Sequence, residues 1–68
     1  MLRLGTVASF DEHVGIGRIR ADDGDEWLFH CTSIVDGSRT IPVGREVAFV
    51  VGPGGPGRWE AFQVTPTG

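Results

Sequence analysis

The sequence of 68 residues contains no lysine, so its positive charge comes from six arginines alone. Nine aspartates and glutamates outnumber them and give a formal net charge of −3. An acidic balance argues against binding that depends on phosphate contacts alone, although arginines gathered on one surface can still form a local basic stripe.

Cysteine and long apolar runs are also scarce. Cys31 is the only cysteine, so no internal disulfide can form, and this composition is typical of a reducing compartment. No apolar run approaches the roughly 18 residues of a membrane span, and no signal-peptide pattern opens the chain. We therefore expect a cytoplasmic protein that makes no contact with a membrane.

Catalytic and metal-binding patterns are missing as well. The sequence has no nucleophile–base pair at a recognisable spacing, no phosphate-binding loop and no paired carboxylates on a predicted pocket. His30 and Cys31 are neighbours on a predicted strand, so their side chains are expected on opposite faces, where they cannot easily bind one ion. We expect a single domain over residues 1–68 that is not an enzyme and needs no cofactor or metal.

Five short segments have the alternation and composition of β-strands, and no segment keeps a helical period over ten residues. Asp22-Asp23-Gly24-Asp25 is the clearest hairpin signal between them. Residues 52–57 contain only glycine and proline and are predicted to form a loop, not a strand. The pattern favours an all-β barrel or sandwich. The predicted strands are 2–10, 15–21, 26–31, 45–51 and 58–65.

The second strand divides its side chains sharply between two faces. Gly15 and Gly17 fall on one face, and the spacing of two glycines indicates that another group approaches this backbone closely. Ile16, Arg18 and Arg20 share the opposite face. Because this face carries the cations, we expect it to be the working surface.

The third strand alternates in the same way. Trp27 and Phe29 are expected on one side, and Leu28 and His30 on the other. We expect Trp27 to lie in the core, where its indole N–H would need a partner.

The last strand carries the second tryptophan. Alternation places Phe62 and Val64 on one side and Trp59 and Ala61 on the other. Trp59 can offer a stacking surface beside the glycine-proline segment or cover the end of a barrel, and the usual burial of tryptophan favours the covering role.

Five motifs together resemble the bacterial cold-shock domain. Their order and spacing agree with that family from about residue 3 to residue 66. The resemblance implies a five-stranded antiparallel oligonucleotide-binding (OB) barrel. The motifs are Gly5-Thr6-Val7, Gly15-x-Gly17-x-Ile19, Leu28-Phe29-His30-x-x-x-Ile34, Gly44-x-x-Val47-x-Phe49 and Ala61-x-x-Val64-Thr65.

The resemblance also implies a function. In the cold-shock family, unpaired bases stack on aromatic side chains of one sheet face, with basic residues around them, and each stacked base is worth roughly 1–3 kcal/mol. The chain is therefore expected to bind single-stranded RNA or DNA across its first three strands, as an RNA chaperone or a regulator of gene expression.

Departures from the family pattern fall on that same face. Ile16 and Arg18 stand where the first family motif has phenylalanines, and Leu28 and Cys31 replace those of the second motif. Ser9 stands in place of a tryptophan. With the aromatic platform depleted, we expect binding to be weaker than in typical members and more dependent on salt.

Seven residues are candidate contacts for nucleic acid. The guanidinium groups of Arg18 and Arg20 can stack on a base or pair with phosphate, and together with Arg58 they would form the basic stripe. The alternative is that these arginines only pair with a neighbouring acid. His30 keeps a position that contacts bases in the family. Ile16 and Leu28 would supply apolar contact. The candidates are Phe10, Ile16, Arg18, Arg20, Leu28, His30 and Trp59.

A second hypothesis treats the same face as a protein-binding surface. Ile16 and Leu28, with Cys31 beside them, would form an exposed aliphatic patch, and such patches tend to mark partner surfaces. The chain would then be a degenerate OB barrel that binds another protein or a second copy of itself. The sequence does not indicate whether RNA or DNA is preferred, or which bases.

Overall fold

The computed structural model describes residues 2–67, so the first and last residues of the domain expected at 1–68 lie outside the described residues. Within that part, the only helical segment is the 3-10 turn Cys31–Ser33, which is far too short to cross a membrane. The predicted all-β fold with five antiparallel strands is confirmed. The strands are β1 (Arg3–Asp11), β2 (Ile16–Ala21), β3 (Glu26–His30), β4 (Glu46–Gly55) and β5 (Arg58–Pro66).

The five strands form one sheet that curls into an OB-type barrel. Its strand order is β3-β2-β1-β4-β5, and every neighbouring pair is antiparallel. The two end strands, β3 and β5, pack against each other. Just beyond β3, Ile34 and Val64 form a parallel bridge, and the N–H of Val35 donates to the Val64 carbonyl at 3.0 Å. These contacts bring β3 and β5 together along one seam.

Alternation along β2 separates the core from the outer face as predicted. Gly17, Ile19 and Ala21 are buried, whereas Ile16, Arg18 and Arg20 are exposed. The largest fully buried side chains of the core are Phe29, Phe49, Ile19, Val7, Val47 and Val64.

A core ring explains Gly17, the glycine of β2. Gly15, which was predicted to lie in the same strand, belongs to the turn before it and has a φ of +70°. A Cβ on Gly17 would lie 2.7 Å from two ring carbons of Phe29 and 2.7 Å from the carbonyl oxygen of Ser9. Phe29 cannot move aside easily, because it is buried and stacked on Phe10 with ring centroids 5.8 Å apart. The close approach that the glycine spacing predicted is therefore a packing contact inside the barrel.

β4 continues through Gly52–Gly55, and the prediction of a loop over residues 52–57 was wrong for this part. Pairing between β1 and β4 ends at Phe49, and beyond it β5 is the only described strand that pairs with β4. Pro53, which lacks an N–H, is tolerated there because one edge of the strand is free, and it lies opposite Trp59. The turn itself is short and includes Gly57 at φ +71°.

β5 breaks the strict alternation predicted for it. Gln63 has a φ of 52°, and the register between β4 and β5 shifts at this point by one residue. As a result Ala61 and Val64, three positions apart, are both fully buried. Phe62 is only half-buried, so the expectation that Phe62 and Val64 share a face was wrong.

Trp27 is only partly in the core. It is half-buried against the core cluster, and the guanidinium carbon of Arg3 lies 5.4 Å from the centre of its ring. The indole Nε1 is buried and finds no hydrogen-bond partner within residues 2–67. A cation over the ring thus covers this tryptophan, and the expected partner for its N–H is not found there.

Candidate nucleic-acid interface

Five of the seven candidate contacts come together on the outer face of β2 and β3. Antiparallel pairing sets two apolar–polar pairs and one pair of opposite charges directly across the two strands. All of these side chains are exposed. The cross-strand pairs are Ile16 with His30, Arg18 with Leu28, and Arg20 with Glu26.

A groove opens between this face and β5. It encloses a cavity of ≈ 170 Å³, and we call it the β3–β5 groove. Its aliphatic part is formed by side chains that remain 42% and 36% exposed, those of Ile16 and Leu28. Sequence reasoning named Arg58 for the basic stripe but missed Glu60, because only the closed barrel brings β5 next to β3. The lining residues are Ile16, Leu28, Phe29, His30, Arg58 and Glu60.

Glu26 engages both arginines of β2. Nη2 of Arg20 donates to Oε2 of Glu26 at 3.2 Å, and Nη1 of Arg18 lies 3.8 Å from Oε1. The alternative that these arginines pair with a neighbouring acid is thus observed. Together with Arg58 and Glu60, the face holds three arginines against two glutamates, a net charge of +1 on a chain of −3. The positive charge available to the predicted basic stripe is therefore small, because glutamates lie among these arginines.

His30 ends β3 and caps the 3-10 turn that follows. Its Nδ1 accepts from the backbone N–H of Thr32 at 3.5 Å and lies 3.2 Å from the Thr32 hydroxyl oxygen. Accepting at Nδ1 leaves Nε2 as the ring nitrogen available to a ligand. The cap therefore holds the imidazole at the rim of the groove, a role that the residue type alone did not reveal.

Cys31 lies nearer to His30 than strand alternation predicts. β3 ends at His30, so alternation stops there, and Sγ of Cys31 lies 3.9 Å from Nδ1 of His30. The expectation that the two side chains point to opposite faces was wrong. Across residues 2–67, no cluster of three or more His, Cys, Asp or Glu side chains could hold a metal ion.

Phe10 lies apart from the groove. It pairs with Gly17, on the core side of β2, and stacks on Phe29, whereas its neighbour Ser9 pairs with Arg18. A register shift in β1 just before Ser9 sets this arrangement. Phe10 is half-buried against Phe29 and does not join the other candidates on the outer face.

Trp59 is exposed and also stands apart from the groove. Its exposed fraction is 62%, so the expectation that it covers the barrel end was wrong. Arg58 and Glu60, its neighbours in β5, line the groove, and alternation directs the indole to the opposite face of the strand. It remains a free aromatic surface on the β4–β5 hairpin.

Comparisons with known proteins agree with this architecture. The family model of the "cold-shock" DNA-binding domain matches residues 3–67. Glycine-rich protein 2 of Nicotiana sylvestris is 44% identical over 63 residues, which are 90% of this chain and 29% of that protein. The solved structure of drosophila Unr CSD456 superposes with a TM-score of 0.83 at 30% identity, covering 100% of this chain and 27% of that chain. The chain therefore spans less than a third of either relative.

Proposed function

The chain belongs to the cold-shock DNA-binding domain family, and we propose that it binds single-stranded nucleic acid on the outer face of β2 and β3. The resemblance to the cold-shock domain is confirmed, while the two relatives above come from a plant and a fly, so a bacterial origin is not implied. The proposed roles as an RNA chaperone or regulator of gene expression and the cytoplasmic location stay predictions, and the proposal assigns no catalytic residue.

The observation that carries the proposal is the combination of surfaces at the β3–β5 groove. An unpaired base can lie against the exposed aliphatic side chains of Ile16 and Leu28, with His30 at its edge. Arg18 and Arg20 stand beside this strip, where a guanidinium can pair with phosphate or stack on the next base. Apolar contact for bases beside cations for the backbone is the arrangement that single-strand binding requires.

We propose that the affinity is lower than that of members with a full aromatic face. An aliphatic side chain removes water from one face of a base but does not stack on it, so part of the roughly 1–3 kcal/mol per stacked base is lost. A loss of this size lowers affinity by about a factor of ten for every 1.4 kcal/mol. The remaining affinity therefore depends on the arginines to a greater extent than in members with a full aromatic face.

Arg18→Ala is expected to weaken oligonucleotide binding and to flatten its salt dependence. Removing one phosphate contact lowers the slope of log K against log salt by up to about 0.7 for a single strand. The measurement is fluorescence anisotropy of a labelled, mixed-sequence oligonucleotide at several salt concentrations.

Arg39→Ala is the matched control, because Arg39 is exposed but belongs to the loop after the 3-10 turn, outside the groove. Equal effects of the two variants would show that only overall charge matters. A flat titration of the folded wild-type protein at low salt would overturn the proposed function.

Trp59→Ala is expected to matter only for longer ligands. Because Trp59 faces away from the groove, a bound nucleic-acid strand must continue around the edge of β5 to reach the indole. The variant should bind an oligonucleotide of about 4 nucleotides like the wild type and lose affinity for one of about 12, within the range of OB-fold site sizes. If Trp59→Ala lost affinity equally for the short and the long oligonucleotide, the indole would belong to the contact that short ligands already make. If it lost affinity for neither, Trp59 would lie outside the interface.

The exposed aliphatic strip also supports a second candidate, a protein-binding or self-associating surface at Ile16 and Leu28. Protein binding at this strip would depend on the charge of the arginines less than nucleic-acid binding does. Under this hypothesis Leu28→Asp abolishes association measured by light scattering, and Arg18→Ala has little effect on it. The cations around the strip favour nucleic acid as the partner.

A further inference from the structure

We propose that the β3–β5 groove selects guanine among unpaired bases, through Glu60 and Arg58. The inference rests on the proposed function, since it assigns a specificity to the same surface. Both residues line the ≈ 170 Å³ cavity, opposite the aliphatic side chain of Leu28. A base that lies on this side chain would turn its edge toward β5.

Glu60 is half-buried, and its carboxylate finds no partner among the described residues. Within residues 2–67 it forms neither an ion pair nor a hydrogen bond, although Arg58 lines the same cavity. A carboxylate only accepts hydrogen bonds, so it needs donors from a ligand or from water. When a bound nucleic-acid strand displaces that water, a base that cannot donate to both carboxylate oxygens leaves one of them unsatisfied, and binding of that base is penalised.

The backbone of β4 lies close to this carboxylate. Gly54 sits at a bulge between Pro53 and Gly55, and a Cβ on Gly54 would collide with Cδ of Glu60. The glycine is thus needed for close approach, which lets the Glu60 side chain lie against the strand. The bulge at Gly54 therefore leaves room for the acceptor at the side of the groove.

Guanine has the edge that matches these two side chains. Its N1–H and N2–H donate in parallel to the two oxygens of one carboxylate, and its O6 accepts from a guanidinium. Glu60 and Arg58 together offer two acceptors and a donor, the pattern that cytosine offers to guanine in a base pair. Uracil would present a single donor, its N3–H, between two carbonyl oxygens that a carboxylate repels, and cytosine and adenine each lack the paired donors.

The test compares deoxyuridine oligonucleotides of about 6 nucleotides that differ only at one central base, which is U, G, A or C. Uracil avoids the methyl group of thymine, and a single guanine avoids four-stranded structures. By anisotropy, the wild type should bind the G-containing strand about tenfold more tightly than the all-U strand, as a bidentate contact allows. Glu60→Gln should abolish most of that ratio.

Glu26→Gln is the matched control, because it removes the same charge beside Arg18 and Arg20, outside the groove. It should raise the affinity for all four strands by one common factor and leave the ratio unchanged. Gly54→Ala, which displaces the carboxylate without removing it, should reduce the ratio, provided circular dichroism shows a folded barrel.

Each other outcome has one meaning. Equal binding of all four strands by the wild type overturns the guanine preference and leaves the proposed function standing. A preference for guanine that survives in Glu60→Gln overturns the role of Glu60. Absence of binding to every strand at low salt overturns the proposed function itself.

Discussion

Replacing Gly17 by alanine is expected to destabilise the barrel by about 1–3 kcal/mol, the usual range for an overpacked core. The added methyl group would meet the ring of Phe29 and the carbonyl oxygen of Ser9 at 2.7 Å. Neither group can move without a cost in free energy, because the ring of Phe29 is enclosed by the core and the carbonyl of Ser9 belongs to the paired strand β1. In a domain of this size, each kcal/mol lowers the melting temperature by roughly 4–8 °C.

Gly55→Ala is the matched control for this prediction. A Cβ at Gly55 would meet no heavy atom within 4 Å, and Gly55 is not among the glycines with positive φ. Its effect should stay within about 0.5 kcal/mol. Urea unfolding followed by circular dichroism measures both variants, and equal midpoints would contradict the packing role of Gly17.

Leu28→Asp is expected to lower oligonucleotide affinity by about tenfold or more, equivalent to at least about 1.4 kcal/mol. The substitution removes the apolar surface at the centre of the groove and places a second carboxylate beside Arg18, its cross-strand neighbour. Phosphates would then meet a repelling charge where a base should lie. The fold should survive, because Leu28 is 36% exposed on the outer face.

Leu4→Asp controls for the added charge. Leu4 is 55% exposed on β1, outside the groove, so the chemical change is the same while the proposed contact is untouched. Anisotropy titrations of the two variants at one salt concentration should differ clearly. If both lost affinity equally, net charge and not the groove would govern binding.

Local patterns were sufficient for the faces of β2 and β3. The alternation of Ile16, Arg18 and Arg20 against buried positions holds in the structure, because a strand packed on one side obeys a period of two. The pairing of Arg20 with Glu26 also follows from local chemistry, since the Asp-Gly turn between the strands sets their register.

The errors arose where distant contacts decide local structure. Pro53 lies in a strand because β1 no longer pairs with β4 at that level, which its neighbours in sequence do not show. Gln63 adds one residue to β5, and the register shift before Ser9 turns Phe10 toward the core side. Glu60 became part of the site only through closure of the barrel, which no single segment reveals.

The pairing of Glu26 with Arg18 and Arg20 affects how salt titrations should be interpreted. Glu26 acts as a built-in counterion, so part of the neutralisation that dissolved anions would provide comes from the protein itself. When a phosphate replaces this carboxylate, fewer dissolved ions are released than there are new contacts. The measured salt slope should therefore be smaller than the number of arginines on the strand would give at about 0.7 per phosphate.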